Sequence, residues 1–335
     1  MKQLLSMPLG PDTHKVCPDL KAACEAAGCD GLEMMWSGLE MPRDVPKEVR
    51  VGYHLAYYPT WMDFWTGNRA GLLREFGSEA LWTGYYGGSS PRRLIRYFRE
   101  DLDRAEALDA RYVVFHVAEV TLAEHYTYQW RHSHEEVIDT AAELLNQVLR
   151  GRDTDLLLLV ENQWLPGFTF TEPGLTGRLL DAIEYPNKGI MLDIGHLMNC
   201  CPALKTEEEG AAYVQRMLDA HGELCRDIRG VHLHQSLSGD YVRDHEGPGH
   251  IPPDWPENYY DRLSGAYEHL FRIDRHQPWH REAIRPVLER IAPDYITHEL
   301  RNSGPEDYLR SIGIQQRAAG LWKRNGIPQG EQLIR

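Results

Sequence analysis

Histidine and carboxylate side chains recur in this sequence at the ends of short apolar runs. Imidazoles and carboxylates together are ligands for divalent ions such as Mn²⁺, Co²⁺, Mg²⁺ or Zn²⁺, and the six cysteines contain no CxxC pair that would indicate a thiolate site. The candidate residues, in chain order, are His54, His116, Glu161, Asp193, His196, His232, His234, His298 and Glu299. Because a buried ionisable group must be paired or coordinated, so many of them in apolar surroundings predict a metal site.

The candidate residues lie at the C-terminal ends of predicted β-strands. Eight β-branched or apolar runs alternate with amphipathic stretches, which is typical of βα units and a parallel sheet. The predicted strands are Gln3–Pro8, Gly31–Trp36, Val49–Ala56, Tyr112–Ala118, Asp155–Glu161, Gly189–Asp193, Gly230–His234 and Tyr295–Glu299. The clearest predicted helices are Asp19–Ala27, Pro91–Leu108, Ser133–Leu149, Glu207–Cys225, Glu282–Ile291 and Pro305–Arg324.

This alternation predicts the fold class. Eight units, with no GxGxxG after the first strand, favour one closed (β/α)8 TIM barrel over an open doubly wound sheet. We expect the barrel to span residues 1–325 and residues 326–335 to form a surface tail.

Two long segments, Tyr57–Ser90 and Gln235–Trp279, follow the third and seventh strands. In a TIM barrel such loops lie at the C-terminal mouth, where active sites form, so we expect both to act as lids. Eight of the nine tryptophans fall at strand ends or in the loops that follow strands. This distribution indicates stacking on a sugar ring or another planar group, with Trp61, Trp65 and Trp164 as candidates.

The composition limits the class of partner. The chain has 335 residues, with 36 Lys and Arg against 50 Asp and Glu, and a formal net charge of −14. An acidic surface disfavours duplex nucleic acid and favours a small enclosed molecule as substrate. No apolar run approaches the roughly 18 residues of a membrane span, so we expect a cytoplasmic protein without membrane partners. The sequence leaves open whether the chain forms a homo-oligomer.

The series H…H…EN…DxGH…HLH…E resembles the xylose isomerase-like TIM barrels, which include sugar isomerases, epimerases and endonuclease IV-type AP endonucleases. The resemblance extends from about Gln3 to Trp322, and its most specific motifs are GLE in strand two, EN at 161–162, DxGH at 193–196 and HLH at 232–234. The shared metal ligands that it implies are Glu161, Asp193, Glu299 and one of His232 and His234.

The resemblance also distinguishes two branches. His54, His116 and His196 match positions that complete a multi-zinc cluster in the endonuclease branch, and His196 also matches a substrate-binding histidine of the epimerases. Endonuclease IV-type members carry a further Asp and His ligand after strand seven. The segment RDHEGPGHIP offers Asp244 and His245 there, as adjacent residues. The epimerases carry a Glu soon after the EN motif, whereas the loop QWLPGF has no acidic residue.

The first functional hypothesis is a sugar, sugar phosphate or polyol isomerase or epimerase with one divalent ion. In this hypothesis Glu161 and Glu299 exchange protons with the substrate through an enediol, while the ion is held by these two carboxylates with Asp193 and His234. Substrate hydroxyl groups would be bound by His196 and His232, and a distal hydroxyl, carboxylate or phosphate by Arg301.

The second hypothesis is a hydrolase with two or three zinc ions. It recruits His54 and His116, with Asp244 or His245 as further ligands, and cleaves a small nucleotide-like phosphodiester rather than duplex DNA. The remaining alternative is a barrel that binds a metal or a sugar without catalysis.

Overall fold

The computed structural model describes residues 1–10, 13, 17, 19–36, 45–247, 249–301 and 303–322. In this part of the chain, eight parallel strands close into a barrel in sequence order, and β1 pairs with β8. The strands are β1 (Lys2–Leu9), β2 (Gly31–Trp36), β3 (Arg50–His54), β4 (Tyr112–His116), β5 (Leu157–Glu161), β6 (Lys188–Asp193), β7 (Ile228–Leu233) and β8 (Tyr295–His298). The predicted (β/α)8 barrel is therefore confirmed. The predicted tail at 326–335 lies outside the described residues.

Helices surround the barrel, and several have strong N-terminal signals. Ser133 and Thr206 each form a capping box with the glutamate three residues later. The helices among the described residues are Leu20–Ala26, Met62–Trp65, Arg69–Phe76, Glu79–Tyr86, Arg92–Ala107, Glu124–Thr127, His134–Leu149, Pro173–Ala182, Ile194–Asn199, Glu207–His221, Gly239–His245, Tyr259–Ile273, Arg285–Ile291 and Pro305–Ala319.

Three predicted helices have different ends in the structure. The helix predicted to reach Arg324 ends at Ala319, because Gly320 takes a positive φ of 70°. The helix predicted to reach Cys225 ends at His221, because Gly222 takes a positive φ of 52° and the chain continues as a 3-10 turn over Gly222–Asp227. The helix predicted from Glu282 begins as a 3-10 turn and becomes α-helical at Arg285–Ile291.

The barrel interior is divided into an apolar lower part and a polar upper part. Leu157, Leu159 and Glu161 have the spacing that points side chains to the same face of β5. The two leucines belong to a buried cluster with Leu4, Val51, Tyr112, Val114 and Met191. Glu161 comes last on the strand, so it lies above this apolar floor at the C-terminal mouth.

The two long segments pack against each other. Tyr57–Ser90 contributes Phe76, whose ring centroid lies 4.5 Å from that of Tyr259 in the segment Gln235–Trp279. Arg262 Nη2 also donates to the carbonyl of Glu75 at 3.2 Å. The two predicted lids therefore form a joined layer of helices after β3 and β7. None of the helices in the described ranges is long and apolar enough to cross a membrane.

Candidate metal centre

Glu161 lies at the middle of a cluster of imidazoles. Its Oε2 atom is 3.2 Å from His54 Nε2 and 3.1 Å from His116 Nε2, while Oε1 is 3.1 Å from His196 Nδ1. His54 Nδ1 donates to the carbonyl of Leu55 at 2.9 Å, which turns its Nε2 toward Glu161. The ends of β3, β4 and β5, with the first turn after β6, thus converge on one carboxylate.

A second part of the cluster consists of Asp193, His232, His234 and Glu299. His232 Nδ1 is 3.1 Å from Glu299 Oε2 and 3.4 Å from Glu161 Oε2. Asp193 Oδ2 is 2.9 Å from His234 Nε2 and 3.7 Å from His232 Nδ1. Both histidines of the HLH motif therefore contribute to the cluster, where the resemblance implied one of them.

A third part of the cluster comes from residues that sequence analysis missed. Asp274 Oδ2 lies 3.3 Å from His196 Nε2 and 2.5 Å from His276 Nε2. The His276 ring stacks on His234 at 4.0 Å, and its Nδ1 donates to the carbonyl of Glu299 at 2.8 Å. The signal that could have found this pair is the DxH spacing at 274–276, within the segment after β7.

The structure places Asp244 and His245 elsewhere, which corrects their predicted role as ligands. Both are exposed at the end of the helix Gly239–His245. The His245 ring stacks on Tyr241 at 4.0 Å, and its Nδ1 donates to the carbonyl of that residue. The Asp and His after β7 that reach the centre are Asp274 and His276, because the chain returns to the barrel only after the helix Tyr259–Ile273.

The centre is suited to hold more than one divalent ion. Within the described residues, four groups place their ligand atoms within 4.8 Å of one another, and some residues belong to two groups. The groups are His54, His116 and Glu161; Glu161, Asp193 and His232; Asp193, His234 and Glu299; and His196, His234, Asp274 and His276.

Several buried atoms of this centre have no hydrogen-bond partner. They include His234 Nδ1 and Asp274 Oδ1. A buried polar atom without a partner is costly, and a cation would satisfy it. The residues present therefore fit divalent ions, and the mixture of imidazole and carboxylate ligands suits zinc or manganese.

The carboxylates of the centre are held in their ionised form. Burial acts to raise the pKa of Glu161, but His116 and His232 outweigh it and hold this pKa well below its usual value. His276 and His196 likewise outweigh burial at Asp274 and hold its pKa well below the usual value. At Glu299, His232 outweighs burial and lowers the pKa to about 2. All three side chains are therefore anionic at neutral pH, as cation ligands must be.

Glu33 orients His232 from below. Its Oε1 lies 2.9 Å from His232 Nε2, while its Oε2 accepts hydrogen bonds from Tyr112 Oη at 2.6 Å and Thr297 Oγ1 at 3.1 Å. His232 Nδ1 is consequently the nitrogen that faces Glu161 and the other carboxylates. Sequence analysis noted the GLE motif that contains Glu33 but gave this residue no role.

Replacing Glu33 with Gln is expected to weaken metal binding by about 10–100-fold, because carboxylates that orient a ligand histidine contribute about this much to affinity. Competition with a chromogenic chelator measures the effect, and Glu289→Gln, at an exposed helical position, serves as the control. An unchanged affinity in Glu33→Gln would show that the position of His232 does not depend on this carboxylate.

The EN and DxGH motifs connect β5 to β6 and position His234. The Asn162 side chain makes two hydrogen bonds with the backbone of Asp193. Its Oδ1 accepts from the Asp193 N–H at 2.8 Å, and its Nδ2 donates to the Asp193 carbonyl at 2.9 Å. Asp193 Oδ1 accepts from the backbone N–H of His196 at 2.6 Å and so caps the helix Ile194–Asn199. A Cβ atom on Gly195 would lie 2.0 Å from His234 Cε1, so only glycine leaves room for that imidazole.

The variant Gly195→Ala is expected to displace His234 and to lower the free energy of unfolding by about 1–3 kcal/mol, the usual cost of overpacking. Urea denaturation measures the loss, and metal analysis of the folded protein should show weaker binding. Gly177→Ala is the matched control, because a Cβ atom there meets nothing within 4 Å. Equal stability of the two variants would contradict the steric argument.

The other predicted substrate residues differ in their positions. Trp164 lies beside the centre, with its ring 5.2 Å from that of His196. Trp61 is buried and its indole N–H donates to the carbonyl of Ala118 at 2.8 Å, so this ring fixes the segment Tyr57–Ser90 to the chain that follows β4. Trp65 is half-buried at the end of its helix. Arg301 is exposed and lines a cavity beside the centre.

His298 does not join the cluster. It is fully buried and its ring contacts Gln315 and Gln3 on the outer side of the barrel, while burial lowers its pKa to about 4. Since successive side chains of a strand point to opposite faces, Glu299 enters the mouth and His298 cannot.

Comparisons with known proteins agree with this architecture. The sequence model of the xylose isomerase-like TIM barrel matches residues 22–309, and the chain belongs to that family. A solved structure of L-ribulose 3-epimerase is similar, with 12% sequence identity, a TM-score of 0.50 and coverage of 95% of this chain and 93% of that one. The mannonate dehydratase from Streptococcus suis serotype 2 shares 11% identity at a TM-score of 0.50, with 99% of each chain covered. At these identities the likeness shows the fold, and no curated protein matches the chain significantly.

Proposed function

We propose that this protein is a metal-dependent hydrolase of small phosphate esters, with two or three divalent ions in its active centre. The observation that carries the proposal is the position of Glu161, which belongs to two ligand groups at once, beside a further group built on Asp274 and His276. An active centre with a single ion would need only one of these groups. Clusters of neighbouring divalent ions are typical of enzymes that cleave phosphate esters.

The side chains divide into those that hold ions and those that meet the substrate. Divalent ions here would polarise a phosphoryl oxygen and lower the pKa of a water molecule, which is the chemistry that hydrolysis needs. Glu161, Asp193 and His232 have fully buried side chains and hold the centre together. The side chains of His116 and Glu299 are 16% and 17% exposed, so they line the approach of a substrate. Glu299 is accordingly a carboxylate of the cluster that a substrate can contact.

A small substrate fits this centre better than duplex DNA. The ligand residues lie at the mouth of the barrel beside the joined layer of lid helices, and the chain carries a net charge of −14. An acidic surface repels the phosphate backbone of a long duplex, whereas a small ester needs to contact only the cations of the centre.

The number of ions and the release of a leaving group test the proposal together. Elemental analysis of purified protein should find two or three zinc ions per chain. The same sample should release nitrophenol from bis(p-nitrophenyl) phosphate, lose this activity on chelation and regain it with added zinc. One ion per chain together with no hydrolysis of any phosphate ester in a panel would overturn the proposal.

An isomerase or epimerase of sugars or polyols is the second candidate. It is favoured by two carboxylates that both approach His232 Nδ1, Glu161 at 3.4 Å and Glu299 at 3.1 Å, because proton exchange on an enediol needs two such groups around one site. Incubation of a ketose panel in deuterium oxide distinguishes the candidates. Incorporation of deuterium next to the carbonyl group supports this activity, and its absence, together with hydrolysis of a phosphate ester, supports the first candidate.

A further inference from the structure

A cavity of about 580 Å³ opens beside the metal centre. It shares a backbone segment with the centre, because Asp274 and His276 contact the cluster while Arg275 between them lines the cavity. The segment is held by the backbone N–H of Arg301, which donates to the carbonyl of His276 at 3.0 Å. The residues lining the cavity include Ser238, Tyr241, Arg272, Arg275, Gln277 and Arg301.

Three arginines of this cavity lack an acidic partner. No carboxylate in the described ranges forms an ion pair with Arg272, Arg275 or Arg301, although Lys205 and Arg243 both pair with Asp240, the acidic residue of the cavity wall. The cavity therefore carries an uncompensated positive charge on a protein whose net charge is −14.

Contacts with the wall hold two of the guanidinium groups in place. Arg301 lies 5.3 Å over the ring of Phe271 and donates through Nη1 to the carbonyl of that residue at 3.3 Å. Arg275 Nη1 donates to the carbonyl of Leu237 at 3.1 Å. Each uses one Nη1 atom in this way and keeps its remaining donors for a ligand. Guanidinium groups match phosphate oxygens in a bidentate geometry, so this arrangement is suited to bind a phosphate group.

We infer that this cavity is a subsite that binds a phosphate group through Arg272, Arg275 and Arg301. The affinity of this subsite for phosphate can be measured independently of the proposed function. The ligand class that follows is a small anion or molecule that carries a phosphate group. The short segment Asp274–Gln277 contributes Asp274 and His276 to the metal centre and Arg275 and Gln277 to the cavity, so the two sites lie on opposite faces of one segment.

Calorimetric titration of the purified full-length protein with inorganic phosphate at low ionic strength tests this subsite. The double variant Arg272→Gln/Arg301→Gln is expected to raise the Kd for phosphate at least tenfold, and the conservative Arg301→Lys to raise it less, because the charge remains and the bidentate geometry is lost. The matched control is Arg226→Gln/Arg310→Gln, two exposed arginines that pair with acids on their own helical turns. Any phosphate bound by the metal centre contributes equally to all these proteins when their metal contents are equal.

Metal analysis and circular dichroism are carried out on every variant, so that a folding defect is separated from lost affinity. Equal Kd values for phosphate in the wild type, the double variant and the control would overturn the subsite, as would the absence of measurable phosphate binding in the wild type. If the double variant loses phosphate affinity while the wild type hydrolyses no phosphate ester, the proposed function fails and the anion site stands.

Discussion

Replacing Glu161 with Gln is expected to lower kcat/KM for a phosphodiester by about 10³-fold or more, which corresponds to about 4 kcal/mol of transition-state stabilisation. The physical reason is that one carboxylate serves two ligand groups, because Glu161 Oε2 lies 3.2 Å from His54 and 3.1 Å from His116 in one group and 3.4 Å from His232 in the other. The amide is neutral and can present only one oxygen. Both groups should lose affinity together, so elemental analysis should find less than half the metal of the wild-type protein.

The control for this variant is Glu143→Gln, at an exposed position of the helix His134–Leu149. It should retain both the metal content and the activity. A Glu161→Gln protein that keeps its full metal content and hydrolyses the ester at the wild-type rate would show that the carboxylate is a structural partner of the histidines. In that case the multi-ion proposal would lose the observation that carries it.

The second large effect is expected from Asp274 and His276. The variants Asp274→Asn and His276→Gln should each lower the metal content by about one ion per chain and reduce kcat/KM about 10²-fold, because a divalent ion that loses one of few ligands dissociates. The groups built on Glu161 do not include these residues and should keep their ions. Elemental analysis of each variant, paired with ester hydrolysis, measures both outcomes.

The matched controls for this pair are Asp244→Asn and His245→Gln. They change the same residue types within the same segment after β7, but both side chains are exposed and outside the cluster. Their metal content and activity should equal those of the wild type. If the Asp244 and His245 variants lost an ion while the Asp274 and His276 variants did not, the ligand group assigned to Asp274 and His276 would be wrong.

Much of the centre could be predicted from local sequence patterns. Strand periodicity places Glu161 on the same face as Leu157 and Leu159, and it separates Glu299 from His298. Because all eight strands are parallel, the residues at their C-terminal ends must meet at one mouth. The meeting of His54, His116, Glu161 and Asp193 follows from this rule and from the identification of the strands.

Contacts between distant segments decided which residues after β7 join the centre. Two Asp and His pairs follow β7, at 244–245 and 274–276, and nothing in their local sequence says which one returns to the barrel. The structure selects the second pair because Ile273 is buried beside it and Ser236 Oγ donates to the carbonyl of Ile273. Pairing of Gln235 with Gln277 then closes the segment onto the end of β7.

The sequence by itself therefore determined the barrel, the order of its strands and the chemical nature of the centre, since residue type and a period of two are local properties of the chain. The tertiary structure alone decided how many ligand groups form and what lies next to them. It brought Glu33 under His232, and it placed Arg275 and Arg301 beside Asp274 and His276. The physical reason is that these contacts depend on how a long segment is buried, which local periodicity does not encode.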